Sequence, residues 1–364
     1  MLQGFLNLTL GNVAMILVGS LLIYLAVVKE YEPVLLLPMG FGCILANIPV
    51  TGMTEAGGLL KLLYDAGISN ELFPVLIFVG IGAMTDFGPL LENPRLMLLG
   101  AAAQFGIFGT LLVCTLLGFN INEAASIGMI GSADGPTSIY VASILAPKLL
   151  GPIVVAAYTY MSLVPIIQPP VMRLLTTKEE RRIKMPYVNR GISKTTRVLF
   201  PIVVTLVCGL IAPKATPLIG MLMFGNLLRE AGVVDRLSKA AQNELANVTT
   251  MFLGIAVGST MSAQYFLTWT TIGIIVMGAI AFALDTAGGL LLGKLMCVLS
   301  GRKINPLIGA CGISAFPMSA RVVQKFAHDE DFSNFLLMHA MGSNTAGQLA
   351  SVMAGGAVLA LLAH

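Results

Sequence analysis

The chain has 364 residues, 56% hydrophobic and 11% charged, with 39 glycines, 18 prolines, a net charge of +3 and a mean hydropathy of +0.88. This is too apolar for a water-soluble globule; a polytopic membrane protein is expected, the small net charge points to no particular partner, and no nucleic acid is expected as one. Five cysteines in apolar surroundings, with no Cys-x-x-Cys spacing, indicate neither disulfides nor zinc, and His328, His339 and His364 are too scattered for a metal cluster.

From the amino terminus, Met1-Leu2-Gln3-Gly4-Phe5 lacks the basic patch of a signal peptide, so the first apolar span is expected to insert the chain. Apolar segments follow at about 12–28, 33–49, 71–87, 95–118, 122–146 and 148–172, then at 195–212, 215–231, 248–267, 270–295, 304–327 and 333–363. The stretches 57–67 and 230–243 are amphipathic and are expected along the membrane surface. The halves match: Leu37-Pro38 through Asn47 resembles Thr216-Pro217 through Asn226, and Gly82 resembles Gly258, at offsets of 176 to 181 residues that favour a duplication.

The most basic stretch joins the halves, from Arg173 through Lys178, Arg181, Arg182, Lys184, Arg190 and Lys194 to Arg197, and the positive-inside rule puts it in the cytoplasm. Lys29, after the first span, implies an external amino terminus. Passing from outside to inside takes an odd number of crossings, so one of the six segments in each half should be re-entrant or interfacial. The expected fold is an all-α polytopic membrane protein of two inverted-topology repeats, each with about five crossings and a discontinuous helix. The divisions are a first membrane repeat at 1–172, a basic linker at 173–194 and a second repeat at 195–364.

Chemistry concentrates at two breaks. In Gly131-Ser132-Ala133-Asp134-Gly135-Pro136-Thr137 the proline removes a donor and forces the preceding residue from helical angles, leaving bare peptide groups beside a carboxylate at membrane depth. A charge there costs roughly 3 kcal/mol on insertion scales and is tolerated mainly for function. Asp134 with Ser132 and Thr137 offers the oxygen set that sodium needs, and the same carboxylate can take a proton; a protonated acid stapling helices is the structural alternative.

The second break, Gly309 through Ser314 and Pro317 to Arg321, has a similar design 181 residues later, from Pro136 to Pro317, and carries an arginine in place of the acid. The fork of Arg321 suits a carboxyl group, unless it pairs with Asp134 or snorkels. Gly309 and Ser314 can ligate an ion or merely pack. Asn305 before Pro306 reads as a helix cap or as an ion or substrate contact. Asn344 lies in a polar run of the last span. Tyr158 and Tyr160 are proton-relay or belt residues, followed by Ser162 and Gln168; Asp86 reads as a membrane-edge turn, and Asp285 is a further acid in an apolar span.

Together with Gly220 through Glu230, these strings closely resemble the beta subunits of the sodium-pumping biotin-dependent decarboxylases, which act on oxaloacetate, methylmalonyl-CoA, glutaconyl-CoA or malonate. The similarity runs over nearly the whole chain. It implies a subunit of the bacterial cytoplasmic (inner) membrane that decarboxylates carboxybiotin and couples this, with uptake of an external proton, to sodium export. Its implied partners are a carboxyltransferase alpha subunit, a biotin carboxyl carrier domain bearing the cofactor, and a small single-span gamma or delta subunit. Implied too are a homo-oligomer, trimeric, and an elevator-like core motion.

By position the resemblance makes Asp134 the sodium and proton acid and places Tyr160 in the proton path. Asn305, Gly309, Ser314 and Asn344 join the sodium site, and Arg321 with Asn305 binds carboxybiotin. The chain lacks the Met-Lys-Met biotinylation signature and a soluble domain, so it is expected to act with partners, and its shorter length hints at the acyl-CoA enzymes. The rival class is a free-standing sodium/proton antiporter or sodium-coupled organic-anion carrier; a purely structural anchor leaves the acid, the arginine and the paired breaks unexplained.

Overall fold

The computed structural model describes residues 2–187 and 191–363, so the linker's Arg190, with Met1 and His364, lies outside the described residues. Among these, all regular structure is helical. Short turns aside, the first half comprises α1 (Leu10–Val28), α2 (Pro33–Ala46), α3 (Leu59–Gly67), α4 (Leu72–Met84), α5 (Met97–Ala103), α6 (Phe105–Leu116), α7 (Ile121–Gly128), α8 (Gly135–Leu145), α9 (Leu150–Ser162) and α10 (Val164–Leu175). The second comprises α11 (Lys194–Ile211), α12 (Thr216–Ala231), α13 (Asp235–Ala240), α14 (Ala246–Gly258), α15 (Trp269–Leu299), α16 (Met318–Glu330) and α17 (Leu337–Leu362). Five stretches are long and apolar enough to cross a membrane, or seven if each of two bent pairs counts as one span.

Several expected spans are subdivided. The 95–118 span breaks at Gln104, where the Ile107 N–H also reaches Asp285 Oδ1 at 3.1 Å. The 148–172 span bends by 67° between α9 and α10, where Pro165 has no N–H for the ladder. The surface stretch 57–67 forms α3, at 61° to α4. The stretch 230–243 is instead divided by Gly232, whose φ of 66° ends α12, and its remainder, α13 and a π turn, runs straight into α14. The expected 248–267 span stops at Gly258.

Among the helix pairs that cross the halves, α4 packs along α12, and α2 along α14. Glycines bring the backbones into contact, since a Cβ on Gly82 would lie 1.8 Å from Leu222 O and one on Gly258 2.1 Å from Met39 O. Asn47, closing α2, donates Nδ2 to Met261 O at 2.7 Å, and Asn226 in α12 donates Nδ2 to Thr85 O at 3.0 Å. The residues that the sequence paired, Asn47 with Asn226 and Gly82 with Gly258, thus make matching contacts. Both asparagines are buried.

The linker is tied to the second half. The buried Arg181 donates Nη1 to Glu330 Oε1 at 2.7 Å and Nε to Thr176 Oγ1 at 2.9 Å. Its own carbonyl accepts from Asn305 Nδ2 and Asn334 Nδ2, both at 2.9 Å, so both ends of the 306–330 segment return to the linker. The guanidinium holds the Glu330 carboxyl below its usual range; the stabilisation is therefore present above the ordinary carboxylate range and lost as pH falls through the depressed value. Arg181→Ala is expected to cost about 2–3 kcal/mol, less than a fully buried pair because the Glu330 side chain is 19% exposed. Thermal unfolding in detergent checks this; an unchanged midpoint at neutral pH would contradict it.

Candidate ion site at two facing chain breaks

The first broken segment begins with a capping box, Asn120 with Glu123, that starts α7. A 3-10 turn over Met129–Ser132 follows, Ala133 turns left-handed at φ 51°, and Asp134 caps α8, its Oδ1 accepting the Thr137 N–H at 3.1 Å. Pro136 stands in the first turn of α8, where its missing donor costs nothing. The second broken segment begins with the 3-10 helix Pro306–Gly312, capped by Asn305, whose Oδ1 accepts the Leu307 N–H at 3.0 Å. After the break α16 starts at Met318. The fully buried Gln168 spans both arms, donating to Ala310 O at 2.8 Å and accepting the Ser319 hydroxyl at 3.0 Å.

The two breaks meet. Ser314 donates its N–H to Ser132 O at 2.8 Å and its hydroxyl to Asp134 Oδ2 at 3.1 Å. Ser351, on α17, donates to the same Oδ2 at 2.6 Å. Asp134 is only 4% exposed. Asn344 donates Nδ2 to Ile313 O at 2.6 Å, and its Oδ1 is buried without a partner. Thr137 Oγ1 lies by the same carboxyl but makes no well-formed hydrogen bond. No group of three or more His, Cys, Asp or Glu among the described residues could hold a metal ion, so the set is one carboxylate among neutral oxygens, suited to a hard monovalent cation.

A cavity of about 510 Å³ leads to this carboxylate, lined by Asp134, Tyr158, Ser314, Thr85 and Gln242 among others. Thr85 adjoins Asp86, whose carboxylate meets Arg229 at 3.4 Å and Arg197, at the far end of the linker, at 4.0 Å. The cavity therefore reaches toward the linker side.

Of the residues singled out in the sequence, Asp134 and Ser314 are in direct contact and Asn344 is one residue removed through Ile313. Asn305 sits at the root of its segment, bound to the linker carbonyls of Arg181 and Ile183 at 2.9 and 2.8 Å. Gly309 faces Gly289 of α15, where a Cβ would lie 2.1 Å from the Gly289 carbonyl oxygen. Tyr160 turns from the break and donates its hydroxyl to Ile275 O. Tyr158 packs on Gly135 instead, its ring 2.2 Å from where a Cβ would stand. Arg321 is exposed on α16 and forms no ion pair with Asp134. Asp285 is fully buried; Oδ1 accepts the Ile107 N–H, and Oδ2 has no partner. Sequence reading missed Ser351, a serine inside a long helix with no local motif to mark it.

Fold and site together define a helical multi-pass membrane protein with a carboxylate enclosed where two interrupted segments touch. The sequence profile described as the Na+-transporting oxaloacetate decarboxylase beta subunit matches residues 11–362, and the chain belongs to that family. It is accordingly an inner-membrane subunit of a multisubunit, sodium-transporting decarboxylase. It is 56% identical over 360 residues to the glutaconyl-CoA decarboxylase subunit beta of Acidaminococcus fermentans, covering 99% of this chain and 96% of the relative. The methylmalonyl-CoA decarboxylase subunit beta of Veillonella parvula is 56% identical over 362 residues, covering 100% and 96%. The oxaloacetate decarboxylase beta chain of Klebsiella pneumoniae is 46% identical over 417 aligned positions, covering 98% and 96%.

Proposed function

We propose that this chain decarboxylates carboxybiotin brought by a partner's carrier domain and couples the step, with uptake of a periplasmic proton, to export of sodium from the cytoplasm. The observation that carries the reading is the Asp134 carboxylate, held by Ser314 and Ser351 at the meeting point of the two breaks. A carboxylate ringed by rotatable hydroxyls can exchange roles: its hydrogen-bond donors become oxygen ligands when a cation arrives, and a proton can replace that cation. The cavity on the linker side gives sodium a route from the cytoplasm.

Inverted topology is part of the proposal. It draws on the matching Asn47–Met261 and Asn226–Thr85 contacts, and on both ends of the second broken segment returning to the linker. The proposal retains the first membrane repeat at 1–172, the linker at 173–194 and the second repeat at 195–364. Asn344, with its unpartnered Oδ1, joins Asp134 and Ser314 in the sodium site, whereas Gly309 and Asn305 act by seating the second segment. A trimer with an elevator-like core and a small single-span subunit follows from the family resemblance.

The carboxyl group comes from an acyl-CoA. The acyl-CoA relatives named above align over 360 and 362 positions at 56% identity, while the oxaloacetate chain needs 417 positions and reaches 46%.

The deciding experiment reconstitutes the complex in vesicles and follows sodium with and without avidin. Avidin-sensitive export supports the pump. Sodium exchange by this chain alone, indifferent to avidin, would replace it with a free-standing transporter. Arg321 is assigned to the carboxyl group of carboxybiotin. Arg321→Lys loses the bidentate fork and is expected to slow carboxybiotin turnover about tenfold or more while the complex still assembles. Normal turnover in that variant would remove Arg321 from the reaction.

A further inference from the structure

A second cavity, of about 500 Å³, lies on the linker side, walled by the turn before α5, the linker at Met185–Tyr187, the end of α15 and the start of α17. Its charge is unbalanced. Arg95 and Lys303 line it, and among the described residues neither forms an ion pair. The one acid in the wall, Glu92, already accepts the Tyr187 hydroxyl at 2.7 Å. His339 projects a buried Nε2 that has no partner among the described residues, and its ring lies edge-on to Tyr187 at 5.8 Å between centroids. In the tautomer that carries its proton on Nδ1, Nε2 offers a lone pair to accept an N–H.

Apart from Asn93 and Ser300, the remaining walls are apolar and soft, with Met185, Met296 and Met338 among them. The ligand these groups describe is a compact apolar ring system carrying one N–H donor and one anionic or strongly accepting oxygen group. A cyclic urea carboxylated on one nitrogen has this pattern: its free N–H meets His339, its oxygens meet Arg95 and Lys303, and its hydrocarbon and thioether body lies on the methionines. We propose that this cavity is the first seat of the carrier's carboxylated biotin ring, separate from Arg321. The proposal rests on the decarboxylase reading for the identity of the ligand, not for the existence of the site.

The position also gives the seat a consequence. Ile304 and Ile308 form part of its wall and lie at the root of the second broken segment, whose tip carries Ser314 to Asp134. The 3-10 helix Pro306–Gly312 carries the chain about 14 Å from that root toward Ser314, so a ring entering at the root touches the element that holds the ion site.

The test titrates biotin methyl ester, bicarbonate and phosphatidylglycerol separately into the detergent-solubilised complex, with hydrogen exchange of residues 296–308 and 337–342 as readout. The ester should protect both segments, and its apparent affinity should fall about tenfold in His339→Phe, which removes the acceptor. Lys303→Gln, on an exposed side chain that leaves the fold intact, should raise the carrier concentration needed for half-maximal decarboxylation several-fold. Protection by bicarbonate or by the lipid alone would make this a simple anion or headgroup site and overturn the ring assignment; so would ester protection indifferent to both substitutions. Avidin-insensitive export would sink the pump reading whatever the exchange data show, whereas avidin-sensitive export with no protection here would overturn this seat alone.

Discussion

Asp134→Asn is expected to abolish sodium export and carboxybiotin decarboxylation together while leaving the complex assembled. Asparagine keeps the shape and can still accept the Thr137 N–H, now 3.1 Å from Oδ1, so the cap of α8 survives. What is lost is the charge. A unit charge 4 Å from a cation is worth about 4 kcal/mol at an effective dielectric of 20, roughly three powers of ten in affinity. The exchangeable proton disappears too, so no rise in sodium concentration should restore turnover. Radioactive sodium uptake into inverted vesicles, read beside carbon dioxide release, measures both. Retained sodium uptake in this variant would remove Asp134 from the pathway. Ser351→Ala, which deletes the 2.6 Å donor and keeps the charge, should fall between wild type and Asp134→Asn.

Gly309→Ala is expected to lower the melting temperature and to cut turnover about a hundredfold, for a steric reason. The new methyl group would lie 2.1 Å from the Gly289 carbonyl oxygen, in the middle of the 31-residue helix α15, and that backbone has nowhere to move. The second broken segment must then slide, and Ser314 leaves Asp134 with it. Overpacking of this kind costs typically 1–3 kcal/mol, and a displacement near 1 Å is enough for the loss of rate. Alanine preserves the Gly309 carbonyl, which separates packing from ion contact. A normal melting temperature with only a raised sodium requirement would return Gly309 to the ion's coordination sphere.

The sequence made the two breaks legible because glycine, serine and proline cluster there beside an ionisable residue; a proline without that company does not suffice, since Pro38 and Pro201 lie inside α2 and α11. The breaks touch through the Ser314 N–H to Ser132 O hydrogen bond. Rotation about a helix axis was not legible. Tyr158 and Tyr160 lie two residues apart on α9, about 200° around the helix, so when one packs on Gly135 the other faces α15. Ser351 was invisible for a related reason, since its importance comes only from α17 passing the break. The division of the 95–118 span lies beside Asp285, far along the chain, which shares the Ile107 N–H with the Gln104 carbonyl. Asn305 read equally as cap or contact, and it caps Leu307 while anchoring the linker.

The two asparagine clamps carry a thermodynamic corollary. Asn47 and Asn226 each pin the carbonyl that follows a helix of the opposite half, with the same donor and nearly the same length, 2.7 and 3.0 Å. In the inverted topology proposed above, these clamps brace the framework alike at both faces, which gives it little intrinsic bias toward one rim or the other. In the pump proposed above, the vectorial drive would then come from outside the framework, from the release of carbon dioxide at one rim and the order in which ion and proton occupy a single acid.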